Sequence, residues 1–132
     1  MKFFKMLLGI CETAPPAEGG CWNFSDGKIE VQLDRVPELE EKGGAIRLEG
    51  NGSPERVLII HGRDGQFRAY KNRCTHFGRR IDTYDETKLL RCCSISKSTF
   101  DYEGNVVSGA AKKPLTQYKV EHKDGKLTVF VA

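Results

Sequence analysis

The sequence predicts an all-β fold, a sandwich or a barrel, and three observations lead to it. Short apolar segments recur along the chain, and several alternate with polar residues at the period of a half-buried strand. Turn signals built on Gly, Asn, Asp and Pro separate these segments. No segment keeps the period of an amphipathic helix. The 132 residues therefore fit a β domain around one core.

An N-terminal arm is expected to precede the domain. Residues 11–27 are rich in Pro and Gly and predict irregular structure, anchored by Trp22 and Phe24. Residues 1–10 predict a short docked helix or strand, with a targeting segment as the alternative. The predicted division is therefore an arm over residues 1–27 and a domain over residues 28–132.

The first half of the domain predicts strands and one turn of helix. Alternating residues at 28–33 indicate a strand, and residues 34–43 indicate a helical turn capped by Asp34 and ended by Gly43. The apolar run at 57–60 indicates a buried central strand. Two further strands are expected at 45–48 and 66–70, with turns at 50–54 and 61–65.

The second half predicts further short strands with clear turns between them. Strands are expected at 99–101 and 106–107, around a turn at 102–105. A loop at 109–114 leads to a hairpin of residues 115–122 and 126–131.

Composition favours a globular protein of a reducing compartment. Hydrophobic residues are 39% and charged residues 30%, and the formal charge of +3 does not by itself indicate nucleic acid binding. The five cysteines are odd in number and irregular in spacing, which argues for metal binding or unpaired thiols in the cytoplasm. Cys11 and Cys21 could pair, but unpaired thiols fit that setting better. No apolar run approaches the length of a membrane span.

Residues 73–101 carry the metal-binding chemistry. Cys74 and His76 are two residues apart, on a loop in which Gly78 permits a sharp bend. Cys92 and Cys93 follow on a second segment. Cys thiolates and His imidazoles are ligands of zinc and of iron–sulfur centres. The pattern predicts two loops that close on one inorganic centre.

This stretch resembles the Rieske iron–sulfur family, whose signature is Cys-x-His-x-Gly-x-x-Leu followed by Cys-Pro-x-His-Gly-x-x-Phe-Asp. The first motif is matched by Cys74, His76, Gly78 and Ile81. The end of the second is matched at 100–101, and counting back places its cysteine at Cys93 and its histidine at Ser96. Further matches at 104–106, 108–111, 114–115 and 118–120 extend the resemblance over about residues 28–131.

The resemblance implies an antiparallel β-sandwich with two cluster-binding loops and a [2Fe–2S] cluster. Cys74 and Cys93 would hold one iron, and His76 would be a ligand of the other, in a family with potentials of roughly −150 to +300 mV. Ser96 stands in place of the fourth ligand. Because Arg79 occupies the first position of the extra disulfide of the respiratory subtype, the chain looks more like the ferredoxin and oxygenase-linked branch.

Further departures from the family pattern accompany Ser96. In the second motif, Ser94 replaces the usual proline and Lys97 the usual glycine. Ala110 stands where a proline commonly covers the cluster.

Ser96 leaves three interpretations open. A cluster could bind with Ser96, Cys92, Lys97 or solvent as its fourth ligand, and an anionic ligand should lower the potential relative to imidazole. Alternatively, the domain has lost its cluster and serves as an interaction module or small regulatory subunit. In the third interpretation a zinc ion is bound by Cys74, His76, Cys92 and Cys93, although vicinal cysteines rarely chelate one tetrahedral ion.

The predicted role is one-electron transfer, with a reductase- or oxygenase-type protein as redox partner. Basic residues crowd the same loops and favour an acidic partner, a solvated surface being the alternative: Arg73, Arg79, Arg80, Lys88, Arg91, Lys97, Lys112 and Lys113. The aromatic residues nearby fit a loop core better than a platform for stacking nucleic acid bases. No nucleophile–base set predicts an enzyme acting on its own, and His61 and His122 are expected to be ordinary histidines.

Overall fold

The computed structural model describes residues 13–75, 78–84, 87–93 and 98–131. Within these ranges the secondary structure consists of β-strands and short 3-10 turns. The strands are β1 (Trp22–Ser25), β2 (Lys28–Gln32), β3 (Ala45–Leu48), β4 (Val57–His61), β5 (Phe67–Lys71), β6 (Ile81–Thr83), β7 (Leu89–Cys92), β8 (Thr99–Asp101), β9 (Val106–Ser108), β10 (Gln117–Lys123) and β11 (Lys126–Phe130). The 3-10 turns are Gly19–Cys21, Leu33–Arg35 and Pro37–Leu39.

These strands form two antiparallel sheets. The large sheet has seven strands in the order β1-β2-β11-β10-β5-β4-β3, and the small sheet has four in the order β6-β7-β8-β9. Every pair of neighbouring strands is antiparallel. The predicted all-β, antiparallel fold class is therefore confirmed.

Strand β4 is buried on both faces and joins two hydrophobic cores. Val57 and Ile59 belong to the core enclosed by the large sheet. Leu58 and Ile60, which point the other way in the pleat, belong to a second core shared with the small sheet. All four side chains are fully buried, as the continuous apolar run predicted. Burial of each such side chain contributes about 1.5–3 kcal/mol.

The second core fixes the small sheet against the large one. Tyr70 of the large sheet packs with Ile81, Leu90 and Phe100 of the small sheet. The Tyr70 hydroxyl donates a hydrogen bond to the carbonyl oxygen of Tyr102 at 2.5 Å. Burial raises the pKa of Tyr70, so this hydroxyl keeps its proton and remains a donor.

Most of the predicted strands are confirmed. The segments β2, β3, β4, β5, β8 and β9 and the β10–β11 hairpin all lie where the sequence pattern placed a strand. Strands β6 and β7 were not predicted. They are three and four residues long, and polar side chains of Asp82, Thr83 and Arg91 interrupt their apolar pattern.

Two expectations for the N-terminal half are wrong. Residues 22–25 are not irregular, because they form β1 and pair with β2 in a hairpin. Its turn residues Asp26 and Gly27 have φ values of 51° and 75°, the positive values of a tight hairpin turn. The boundary between residues 27 and 28 therefore falls between two paired strands.

The expected helical turn is also replaced, by two separate 3-10 turns, and Asp34 does not cap it. Asp34 lies inside the first turn, Leu33–Arg35, and no side-chain cap is present there. Pro37 begins the second turn, because its fixed φ suits a helical start and its missing amide hydrogen interrupts a longer helix. Gly43, with φ of +92°, instead donates its amide hydrogen to the His61 carbonyl at 2.7 Å.

The first described residues of the arm lie against both sheets. The amide and hydroxyl groups of Thr13 donate to Asp82 in β6. The carbonyl of Ala14 accepts a hydrogen bond from the Arg47 amide in β3 at 3.1 Å. Residues 1–12 lie outside the described part of the chain, and so does the predicted structure of residues 1–10. Within the described ranges, no helix is long and apolar enough to cross a membrane.

Candidate metal centre

The two predicted cysteine ligands form backbone hydrogen bonds with two consecutive residues, Arg79 and Arg80. The Cys74 amide donates to the Arg79 carbonyl at 2.6 Å, and the Cys93 amide donates to the Arg80 carbonyl at 2.8 Å. Both side chains are almost fully buried, with 1% of Cys74 and 3% of Cys93 exposed. Two residues that are distant in sequence are thereby brought to one place.

The first loop, residues 72–80, is closed by its own backbone. The Gly78 amide donates to the Cys74 carbonyl at 2.9 Å, and Gly78 has a φ of +73°. A residue with a Cβ atom is strained at this φ, so glycine suits the bend. The guanidinium of Arg73 lies against Gly78, 3.2 Å from where a Cβ atom would stand. The predicted role of Gly78 in the bend agrees with this geometry.

Arg56 holds the two halves of the first loop together. Its Nε donates to the Asn72 carbonyl at 3.1 Å, and its Nη2 donates to the Gly78 carbonyl at 2.7 Å. Burial is the main cause that lowers the pKa of Arg56, and the positive charges of Arg80 and Arg73 add to it. An arginine nevertheless stays protonated at neutral pH. The loop that carries Cys74 is therefore hydrogen-bonded to a fixed positive charge.

Asn72 links the first loop to the small sheet. Its side chain is 1% exposed, and its Oδ1 accepts a hydrogen bond from the Ile81 amide at 2.7 Å. Asn72 and Arg56 were not among the residues predicted for the site. The signal that could have found Asn72 is its place directly before the Arg73-Cys74 pair, two residues after the predicted strand 66–70.

The second loop is closed at its base and contacts a third loop. The Cys92 amide donates to the Ser98 carbonyl at 2.8 Å, across the segment 94–97. The fully buried Ser98 accepts a hydrogen bond from the Ala111 amide at its Oγ, at 2.9 Å. On the other side, the Thr75 hydroxyl donates to the Lys113 carbonyl at 2.6 Å. The loop at 109–114 is thus bound to both cysteine loops.

The remaining predicted ligands lie outside the described residues. These are His76, Ser96 and the alternative ligand Lys97. Within the described ranges, no group of three or more His, Cys, Asp or Glu side chains is placed to hold a metal ion. The ligand roles of all these residues therefore stay predictions.

The cysteines are in two chemical states. Cys93 is disulfide-bonded, so its sulfur must be reduced before it can bind iron. Cys21 is a buried thiol, so the considered pairing of Cys11 with Cys21 is wrong. Burial raises the pKa of the Cys21 thiol. Cys92 is also buried, 2% exposed, and packs in the second core.

The described residues fit one half of the centre that the sequence resemblance implies. Cys74, and Cys93 once it is reduced, would supply two soft sulfur donors from neighbouring loops, the set that suits the cysteine-bound iron of a [2Fe–2S] cluster. Their amides are already used in hydrogen bonds within the loops, which fixes the backbone at both positions.

The basic residues around the site differ in their partners. Arg80 donates to Glu49 through Nε and Nη2 at 2.6 and 2.9 Å. This hydrogen bond is the main cause that lowers the pKa of Glu49. The guanidinium of Arg91 lies 4.1 Å from the centre of the Tyr84 ring. Five other basic residues of the predicted face are exposed: Arg73, Arg79, Lys88, Lys112 and Lys113.

Comparisons with known proteins agree with this geometry. A family model described as the Rieske [2Fe-2S] domain matches residues 29–119. The cytochrome b6-f complex iron-sulfur subunit of Chlorobaculum tepidum is 29% identical over 105 residues, which is 80% of this chain and 56% of that protein. The chain therefore spans little more than half the length of this curated relative.

Solved structures with the same fold include two small proteins. The cyanobacterial plasma membrane Rieske protein PetC3 from Synechocystis PCC 6803 is matched with a TM-score of 0.53 and 25% identity, over 63% of this chain and 84% of that one. The ferredoxin of carbazole 1,9a-dioxygenase from Nocardioides aromaticivorans IC177 is matched with a TM-score of 0.59 and 20% identity, over 75% of this chain and 91% of that one. At 20% identity, the similarity to this ferredoxin shows a shared fold and nothing more.

Proposed function

Because the chain belongs to the Rieske [2Fe–2S] domain family, we propose that it is a one-electron carrier of the ferredoxin type. The observation that carries the proposal is the convergence of Cys74 and Cys93, both buried and tied to the adjacent residues Arg79 and Arg80. When bound, a [2Fe–2S] cluster supplies one-electron chemistry at a potential set by its ligands and surroundings.

The proposed ligand set contains an altered fourth position. Cys74 and Cys93 hold one iron, and His76 is a ligand of the second. Ser96 takes the place of the second histidine, with Cys92 and Lys97 as the nearby alternatives. A serine alkoxide is anionic, so this set favours a lower potential than the family's two neutral imidazoles give.

The protein surroundings of the site support this role in two ways. Both cysteines are almost fully buried, and the exclusion of water lowers the local dielectric and strengthens electrostatic interactions there. The fixed positive charge of Arg56 lies between the carbonyls of Asn72 and Gly78. A nearby positive charge favours the more negative, reduced state of a redox centre. Arg56 is therefore a residue that raises the potential in this proposal.

The proposed partner is a reductase- or oxygenase-type redox protein that presents an acidic face. The solved structures with this fold include a complex of a reduced oxygenase and an oxidised ferredoxin in carbazole 1,9a-dioxygenase, matched at 21% identity with a TM-score of 0.63. The exposed basic residues beside the loops support an acidic partner, since complementary charge speeds encounter. A cytoplasmic location is proposed from the odd and irregularly spaced cysteines.

A second function is favoured by two observations. Ser96 is a poor substitute for an imidazole, and Cys93 is disulfide-bonded in the structure. Both fit a domain that has lost its cluster and acts as an interaction module or small regulatory subunit. Such a protein would fold equally well without iron.

The experiment that separates the two functions is reconstitution without oxygen after thiol reduction. Visible absorption, EPR and the iron and sulfide content are then measured on the wild type, Cys93→Ala and Cys92→Ala. A carrier contains iron and sulfide in equal amounts and gives a reduced-state EPR signal, which Cys93→Ala abolishes and Cys92→Ala retains. Loss in Cys92→Ala alone would assign the ligand to Cys92. A wild type that is folded but colourless and free of iron overturns the electron-transfer proposal.

A further inference from the structure

An open cavity of about 630 Å³ lies directly beside the first cysteine loop. Cys74 and Gly78 of that loop form part of its wall, and the 109–114 loop contributes Lys113. The cavity therefore reaches a residue that the proposed function assigns as a cluster ligand. Cys74 itself is only 1% exposed, so a molecule in the cavity would contact the residues that bury Cys74 rather than its sulfur.

The charge of this cavity has one sign. Lys71, Arg73 and Lys113 line it, and no acidic side chain among the described residues does. Lys113 and Arg73 are exposed, so their charges face solvent at its mouth. A smaller cavity of about 350 Å³ shares Lys71 and Arg73 with it. The two cavities adjoin at these shared residues and are together called the basic groove.

Glu55 provides one carboxylate beside this groove. The Lys71 ammonium lies 3.3 Å from a carboxylate oxygen of Glu55, which lines the smaller cavity. One cation of the groove is thus already paired with a carboxylate, whereas Arg73 and Lys113 face the larger cavity, to which the described part of the chain contributes no acidic side chain. Further carboxylates are the groups that complement them.

We infer that this basic groove, defined by Lys71, Arg73 and Lys113, is the docking site for a carboxylate-rich segment of the redox partner. The inference rests on the proposed function, since it places that partner against the Cys74 side of the site. The three cations of the groove lie on separate parts of the chain, β5, the first cysteine loop and the 109–114 loop, so a polypeptide segment with several carboxylates can pair with more than one of them. The occupant is a run of Asp or Glu side chains.

Binding of fluorescein-labelled hexaglutamate to the full chain tests the groove. Fluorescence anisotropy is measured on the wild type, Arg73→Gln, Lys113→Gln, the double variant and Lys112→Gln. Lys112 is the matched control, because it is the exposed neighbour of Lys113, carries the same charge and does not line the cavity. Circular dichroism checks that each variant is folded.

If the groove is the docking site, only the variants of its lining residues should bind hexaglutamate more weakly. Arg73→Gln and Lys113→Gln should each weaken binding about threefold, and the double variant about tenfold, as expected for exposed ion pairs. Lys112→Gln should bind as the wild type does. Equal loss in Lys112→Gln and Lys113→Gln, or no binding by the wild type, overturns the inference. Full competition by an equal concentration of inorganic phosphate overturns the polypeptide occupant in favour of a small-anion site.

The same samples keep the two proposals apart. If the protein gives a redox wave but Lys112→Gln and Lys113→Gln bind hexaglutamate equally well, the docking site is refuted and the electron-carrier function stands. If only the lining variants lose hexaglutamate binding and the protein takes up no iron, the electron-carrier function is refuted. The groove is then the binding site of an interaction module.

Discussion

The Cys93 amide donates a hydrogen bond to the Arg80 carbonyl across 2.8 Å. This contact joins the second cysteine loop to the first. The side chain of Arg80 continues the link, since it binds Glu49 at the end of β3 with two hydrogen bonds. The position of Cys93 is therefore connected, through a single arginine, to the large sheet.

Glu49→Gln should disturb the cysteine loops at little cost in stability. The ion pair with Arg80 is partly exposed, so its loss should lower the free energy of unfolding by about 0.5 kcal/mol. Retention of iron after reconstitution should fall more clearly, because Arg80 is no longer held beside Cys93. Glu30→Gln is the matched control, since Glu30 forms a similar pair with Lys126 in the large sheet. Equal iron retention in the two variants would show that the Glu49 link is not needed.

The Glu49 pair also predicts a pH dependence. Arg80 lowers the pKa of Glu49 in the folded state. A carboxyl group with a lowered folded-state pKa stabilises the protein above its unfolded pKa of about 4.3, and that stabilisation is lost as the pH falls below it. Urea unfolding at pH 7 and near pH 3.5 should show that Glu49→Gln loses less stability on acidification than the wild type. An identical loss in both proteins would contradict the assignment.

Gly78→Ala should damage the metal centre specifically. The φ of +73° at Gly78 and of +74° at Gly125 makes alanine unfavourable by about 1–2 kcal/mol at either position. Only at Gly78 does the new methyl group also press on Arg73, since no atom lies within 4 Å at Gly125. Chemical denaturation should therefore show similar destabilisation, while iron uptake falls in Gly78→Ala alone. Normal iron uptake by Gly78→Ala would show that the loop tolerates the displacement.

Asn72→Ala should destabilise the fold as well as the site. It leaves the Ile81 amide without its side-chain acceptor in a buried position, which costs about 1–3 kcal/mol. Asn105→Ala is the control, because Asn105 is exposed and its side chain makes only a 3.4 Å contact with Asp101. Thermal or urea unfolding measures the difference. Equal stability of the two variants would mean that water replaces the Asn72 acceptor.

The sequence predicts the strands better than the links between the loops. The apolar run in β4 predicts a strand that is buried on both faces, and the turn residues Asp124 and Gly125 predict the β10–β11 hairpin. Asp26-Gly27 carries the same signal, yet the Pro and Gly residues before it obscured the β1 strand. No sequence signal identifies Arg56, and Asn72 is marked only by its place directly before Arg73 and Cys74. The importance of Arg56 and Asn72 arises from partners up to 22 residues away, which only the folded chain brings together.

Ser96→His is the most direct test of the altered ligand set. Ser96 lies outside the described residues, and its role rests on its place in the second motif. Replacement of an anionic oxygen ligand by a neutral imidazole should shift the reduction potential upward and restore a Rieske-type EPR signal. Protein-film voltammetry measures the shift, with Ser94→Ala as the control from the same segment. An unchanged potential in Ser96→His, with iron bound in both proteins, would exclude Ser96 as a ligand and leave Cys92, Lys97 or solvent.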